Sequence, residues 1–353
     1  LSAQERVNID RLMAMSLEEL LSVKFTVASL FEETSLEAAS TVALLTERDW
    51  HQRGARLHHD VYLNQPSVMV LPSFSGADGL AIRGYARNLS TYGIASLLDG
   101  VSTNTIVWGN SLISMPNFNL STLDSIEMVR GTGSAVHGAE AFHGVISLKT
   151  FYSDTDMERV TAEYASNDYY HGALQYSTSF NDNWRTNVAL AANGQHNQDF
   201  RISYIDTASQ EQRNELQKNE YETQTAVIKF QSEDNAYHLG FYLNQFDSHD
   251  FPGLGRSLGG DDIFLKVMGQ DTFFYMTKLG MTQQLPYQMS LDTDGFYWTN
   301  HQEYYFIQPA PDMFTATEFN ESQWGATITL KQEDNPWHTQ WLASLYYEKG
   351  NID

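Results

Sequence analysis

The sequence predicts two parts: a small mixed α/β domain, then part of an antiparallel β-barrel that crosses a membrane with strands. Three observations carry this. The texture changes near residue 150, from short apolar runs and capped helical turns to strict apolar–polar alternation. Aromatic residues make up 13% of the 353-residue chain, with 19 Tyr, 19 Phe and 7 Trp, a composition that favours strands and ring-lined interfaces. No apolar run approaches the roughly 20 residues of a membrane helix. Only helices and closed barrels pair every backbone group in lipid, so a membrane can be crossed here only by a barrel.

The elements of the first part follow from local signals. Ser16 with Glu19 three residues later is a capping box, which predicts a helical turn over residues 16–21. Residues 40–45 read as a strand. Thr46 then caps a helix with Glu47 and Asp49 in its first turn, and Gly54 ends it. Residues 68–71, 80–83, 94–99, 125–130 and 145–150 predict further short strands.

After residue 156 the period is two. Tyr237, Leu239, Phe241 and Leu243 share one face, with His238, Gly240 and Asn244 on the other. Trp324, Ala326, Ile328 and Leu330 alternate with Gly325, Thr327, Thr329 and Lys331. Trp341, Ala343 and Leu345 alternate with Gln340 and Ser344, and Met289 and Leu291 alternate with Asp292 and Asp294, which puts both acids on the lumen side, lining a wet wall or else meeting the plug. Each run has the length of a tilted membrane strand, roughly 9–11 residues. Tight turns are expected at 181–183, 233–235, 285–287 and 333–336, and long polar loops at 197–221, 247–270 and 300–321. Short turns at one end and long loops at the other is the outer-membrane barrel arrangement. Trp184 and Trp337 after tight turns, and Trp298 and Trp324 beside a long loop, are expected to form two interfacial girdles. About nine strands are predicted. Closed single-chain barrels normally have an even number, so the chain is expected to cover only part of a barrel. It opens on Leu1 without an initiator Met or a signal segment, as a mature chain or a piece of one would.

Composition removes several function classes. The formal net charge of −23 argues against a nucleic-acid partner, whose phosphates need a basic face. The absence of Cys excludes disulfides and Cys-based metal sites. His58, His59 and Asp60 are adjacent and do not share a direction, and Gly138 and Gly144 interrupt the spacing of His137, Glu140 and His143, so no metal site is expected. Gly131-Thr132-Gly133 has no following Gly-Lys-Ser/Thr, and neither a His-Glu-x-x-His nor a Gly-x-Ser-x-Gly motif occurs. The reading is no enzyme and no cofactor.

Four motifs in order then point to one family. They are Ile82-Arg83-Gly84, then Leu97-Leu98-Asp99-Gly100-Val101, then Leu123 to Ala135 with its Val129-Arg130-Gly131, then Gly138 to Leu148. Over residues 16–150 the chain resembles the plug domain of TonB-dependent outer-membrane receptors, and the following part resembles their barrels in pattern. The resemblance implies an N-terminal segment at 1–29 with a possible energy-coupling region, a plug domain at 30–152 and a partial transmembrane β-barrel at 153–353, nine strands of an expected 22. Thr132, His137, Glu140 and His143 depart from the family pattern without removing a glycine.

The resemblance also implies the function and its residues. The receptor sits in the outer membrane of a Gram-negative bacterium, among outer-membrane lipid. It imports an external small-molecule ligand, with a ferric siderophore or related iron chelate leading. Cobalamin, an oligosaccharide or another large solute are alternatives; a passive pore, an outer-membrane enzyme and a receptor that also signals are rivals. A TonB-like protein on the periplasmic side supplies energy. Lys24, Phe25, Thr26, Val27 and Ala28 are short and β-prone, and read either as the segment that pairs with that partner or as an ordinary plug strand. Phe74, Trp108, Asn110 and Met115 lie on plug loops expected to point outward, and with Tyr92 form the expected ligand site. Arg83 and Arg130 match plug arginines that lock onto barrel carboxylates, against the alternative of surface arginines ending strands.

Overall fold

The structure is a computed structural model and describes residues 24, 25, 27, 33, 34, 41–71, 79–84, 93–107, 109, 118–138, 140–180, 183–196, 199–205, 212–218, 220–232, 234–256, 262–309, 312–332 and 340–352. The helical turn expected at 16–21 and Trp337 lie outside these residues.

In the first part, β1 (Lys24–Phe25) and β2 (Glu33–Thr34) pair antiparallel. β3 (Thr41–Thr46) runs directly into α1 (Glu47–Arg53). The Asp49 carboxylate accepts from both the Thr46 amide and its hydroxyl at 2.8 Å, and Gly54, at φ +65°, closes the helix in the left-handed region. A 3₁₀ turn (His58–Tyr62) leads to the pair β4 (Val68–Leu71) and β5 (Gly79–Ile82). Then come β6 (Ile94–Leu98), β7 (Val101–Ser102), a 3₁₀ turn (Leu120–Thr122), β8 (Leu123–Arg130), α2 (Ser134–His137) and β9 (Gly144–Thr150). These build a five-stranded sheet in the order β3-β8-β9-β6-β7, in which β6 and β9 are parallel. Asp99 and Gly100 make the two-residue turn between β6 and β7 at φ +44° and +85°. A type I′ turn requires positive φ at both positions, and Asp-Gly adopts it at low cost.

The second part is one antiparallel wall. Its strands are β10 (Met157–Ala165), β11 (Tyr169–Phe180) and β12 (Trp184–Gln195), then a side hairpin β13 (Asp199–Ile205) with β14 (Gln212–Lys218). It continues with β15 (Glu220–Ser232), β16 (Tyr237–Arg256), β17 (Asp262–Leu285), β18 (Met289–Pro309), β19 (Asp312–Gln332) and β20 (Trp341–Ile352). Leaving out β13 and β14, the nine strands neighbour in chain order.

The alternation has a physical meaning here. Val160, Leu174, Leu190, Leu279, Tyr297, Trp324, Ile328 and Leu345 stand exposed on the outer face, an apolar band suited to lipid. Tyr242, Phe274, Met276, Trp298 and Asn300 are buried on the inner face. Near the tight turns Trp184 stacks on Tyr237 and Phe180 meets Phe230 edge-on. At the opposite end, one outward register row carries Glu222, Asp247, Asp271, Glu303 and Glu318, which marks the upper limit of the apolar band.

Three expectations are corrected. The segments expected as long loops are largely strand: β16, β17, β18 and β19 run 20, 24, 21 and 21 residues, and 199–218 forms its own hairpin. Backbone pairing continues past the apolar alternation because a ladder needs only its backbone partners, which polar residues supply as well. Second, β10 and β11 join through the short turn 166–168 at the long-loop end, with Asn167 and Asp168 at positive φ. Third, Trp298 is no girdle residue, because it sits in the inward phase and is 1% exposed.

The core is shared between the two parts. Trp50, Tyr62, Ile82, Leu98, Phe118, Ile126 and Ile146 of the first part join Ala189, Val227, Tyr242, Phe274, Met276 and Trp298 of the wall in one buried cluster.

Candidate functional site

The contact between sheet and wall centres on the tip of the β6–β7 hairpin. The Asp99 carboxylate accepts from the Thr150 amide at 2.9 Å, from the Thr150 hydroxyl, and from the Tyr242 hydroxyl at 2.9 Å. Lys229 lies 3.4 Å from the same carboxylate and donates to the Thr150 carbonyl at 2.9 Å. Lys278 donates to the Asp99 carbonyl at 2.9 Å and continues to Asp294 at 3.4 Å, which meets His238 at 2.8 Å. Burial pushes the Asp99 carboxyl up, but Lys229, the two Thr150 hydrogen bonds and Lys278 outweigh it and hold the group at about 2.

Local sequence explains the geometry. Lys229, Gly240 and Lys278 stand side by side in one inward register row. Gly240 leaves its place in the row open, and the Tyr242 ring folds across it to reach Asp99 between the two lysines. A Cβ on Gly240 would lie 2.5 Å from the Tyr242 hydroxyl. Gly280 repeats the device, letting His238 reach across β17 to Asp294 on β18.

Further contacts extend in both directions. Trp298 donates from Nε1 to the Ser102 carbonyl at 3.1 Å. The Glu321 carboxylate accepts from the backbone amides of Ile106 at 2.8 Å and Val107 at 3.4 Å. Asn119 bonds Asn193 and Thr225, Gln175 donates to the Ser121 carbonyl, and Asn187 accepts from the Ser153 amide. Arg159 pairs with Glu47 at 3.0 Å. Most of these are polar bonds between a few residues and a continuous wall, added to the apolar core the two parts share.

The expected site residues fall as follows. Phe74, Tyr92, Trp108, Asn110 and Met115 lie outside the described residues, as do Thr26 and Ala28. Lys24 and Phe25 form β1. Val27 is buried with Ala95, Leu97, Val129 and Val145, and its carbonyl accepts from His137 Nε2 at 2.6 Å. Arg83 is exposed, and Arg130 donates to the Pro66 carbonyl at 2.8 Å. Among the described residues neither arginine meets a carboxylate. Ionic contacts between the two parts run in both directions: Asp99 with Lys229 and Glu47 with Arg159 put the acid on the first part, while Arg56, 3.5 Å from Glu163 of β10, puts the base there. The Asp-Gly turn and the inward phase of Lys229 and Lys278 were the sequence signals for the Asp99 contact. Asp292 pairs with Lys331 at 3.0 Å. His58 faces Tyr62 at 2.7 Å while His59 faces Asp60, so the adjacent histidines diverge.

Comparison with known proteins agrees with this architecture. Residues 34–145 match the TonB-dependent receptor plug domain. The chain is 24% identical over 232 residues to a vitamin B12 transporter BtuB of Vibrio vulnificus, covering 62% of this chain and 36% of that protein. Among solved structures, the pyoverdine outer-membrane receptor FpvA from Pseudomonas aeruginosa superposes with a TM-score of 0.67 at 14% identity, over 94% of this chain and 50% of that one. The siderophore receptor PiuA from Acinetobacter baumannii gives 0.66 at 14% identity, over 96% and 49%. The chain thus spans about a third to a half of the length of these relatives. With four ordered motifs, a plug-domain match over residues 34–145 and an antiparallel wall packed against that domain, the chain carries a TonB-dependent receptor plug domain and is similar along its length to outer-membrane receptors.

Proposed function

We propose that this chain supplies the plug and part of the barrel wall of an active importer. The ligand binds at the long-loop end. An inner-membrane partner then draws on the segment before the plug, and the plug rearranges to open a path; no chemistry is done on the ligand. The observation that supports this reading best is the seating of the plug, held to the wall by a shared buried core, the Asp99 cluster and a set of polar bonds. The leading ligand class is a ferric siderophore or related iron chelate, in line with receptors of similar fold. Cobalamin is the second reading, favoured by the similarity to vitamin B12 transporters. The proposed coupling segment is residues 24–28, whose Val27 is tied to the plug through His137. An extended segment released from that tie can add to a partner's sheet edge.

The test is uptake by cells that carry the complete receptor. Ferric chelates and cobalamin are supplied in labelled form, with and without the energy-coupling protein. Accumulation that requires the partner supports import. A steady open conductance from the intact receptor in a lipid bilayer overturns it in favour of a pore.

A further inference from the structure

Above the Asp99 cluster, the inner face of β16 to β19 changes character. Asn244, Thr272, Asn300, Gln302, Glu321 and Gln323 join the aromatic rings of Phe246, Phe274 and Trp298 there, all at least nine-tenths buried. Their register puts them in the inward phase, level with or just below the rim marked by the acidic row. Several of their polar atoms have no partner. Both side-chain atoms of Asn300 are unbonded, as are Nε2 of Gln302 and Oε1 of Gln323. Gln302 and Gln323 each use their other amide atom, in bonds with Tyr304 and Glu348. The unused groups are therefore a mixed set of donors and acceptors on the inward phase of the wall, covered while the plug is seated. Beside them Glu321 holds the amides of Ile106 and Val107. Among the described side chains of this stretch there is no Lys or Arg, and Glu321 is acidic.

A buried amide without a partner is costly and is retained where something pairs with it. An anionic chelate would meet no cation here and would face a carboxylate in a chain of net charge −23. We propose that this stretch, uncovered when the plug rearranges, is a ligand-contacting wall that takes an uncharged solute dense in amide or hydroxyl groups and discriminates against anionic chelates. The proposal rests on the importer reading and narrows its ligand class. Neutral ferric hydroxamates, cobalamin and neutral sugars share this chemistry; tris-catecholate chelates of iron do not.

The experiment measures binding to the complete, detergent-purified receptor by tryptophan fluorescence. Trp298 stands two residues from Asn300 and acts as a reporter. The probes are a neutral ferric trihydroxamate, cyanocobalamin, a neutral oligosaccharide and a trianionic ferric tris-catecholate. The expected result is that one neutral probe binds at least roughly tenfold tighter than the tris-catecholate, and that Asn300→Leu removes at least that factor. The same variant should unfold at the same or a higher temperature, because it removes an unpaired buried amide. Gln302→Leu provides a second variant with the same expectation. Tightest binding of the tris-catecholate overturns the proposal and leaves the importer standing. So does loss of stability alongside affinity in both variants, which would make the amides structural, and so does unchanged affinity in both. Absence of binding by every probe also overturns it, and uptake in cells then decides separately whether the importer reading falls.

Discussion

Asp99 and Lys229 are 130 residues apart in the chain, yet the lysine ammonium lies 3.4 Å from the carboxylate. Asp99 stands in a turn with both residues at positive φ, so its carboxylate projects from the hairpin tip into the wall. Lys278 and Tyr242 close on the same tip from two adjacent strands. A single acid thus joins a plug turn to three strands of the wall.

Asp99→Asn keeps the side-chain volume and removes the charge. Truncating one partner of a buried pair costs about 3–5 kcal/mol. Lys229 keeps the Thr150 carbonyl and Lys278 keeps Asp294, so the expected loss is near the low end, about 3 kcal/mol. Urea unfolding of the receptor gives the magnitude. The Asp99→Asn, Lys229→Met double variant should lose less than the sum of the single variants. Additive losses would mean that the two side chains are not coupled.

The same carboxylate sets an acid limit. Its folded pKa of about 2 lies below its ordinary value, 3.8. Its contribution is therefore fully present above about pH 4 and is lost as the pH falls towards 2, amounting to about 2 kcal/mol. Unfolding free energy measured from pH 6 to pH 2 should fall less steeply in Asp99→Asn than in the unmodified chain. Equal slopes would assign the acid sensitivity elsewhere.

Gly240→Ala places a methyl group where the Tyr242 ring lies. The ring must move off Asp99, at a cost of about 1–3 kcal/mol. Tyr242→Phe removes the same hydrogen bond by another route. If the ring lies across Gly240 in order to reach Asp99, the two substitutions together cost less than their sum. Full additivity in the double-mutant cycle would separate the glycine from the bond.

His137→Ala frees the Val27 carbonyl from its side-chain donor. Val27 is buried, so the lost bond should cost about 1 kcal/mol locally. Amide exchange at Phe25 and Val27 should speed up while exchange in β6 and β9 stays unchanged. Faster exchange throughout the five-stranded sheet would show that His137 supports the whole plug instead of the coupling segment.

Much of the fold was legible because its signals are local. Thr46, Asp49 and Gly54 fix where β3 ends and α1 begins and stops. The alternation from Tyr237 to Asn244 fixes which side chains face lipid. Strand length was not legible: β18 and β19 pair continuously from Met289↔Gln332 to Pro309↔Asp312, and no apolar alternation in the sequence marks the upper half of that ladder. The inward role of Trp298 was hidden because an aromatic near a strand end fits an interfacial girdle equally well. Reading its parity against Asp294 and Asn300 would have turned it inward.

The sequence by itself determined the two-part architecture and the facing of the wall residues whose alternation is unbroken. Each depends on a few neighbouring residues and on the period of a strand. Only the tertiary structure decided that Asp99 meets Lys229, Lys278 and Tyr242, and that Arg130 turns to the Pro66 carbonyl. Such pairings depend on how the plug is rotated and seated against the wall. That placement is set by the shared buried core, which no local period encodes.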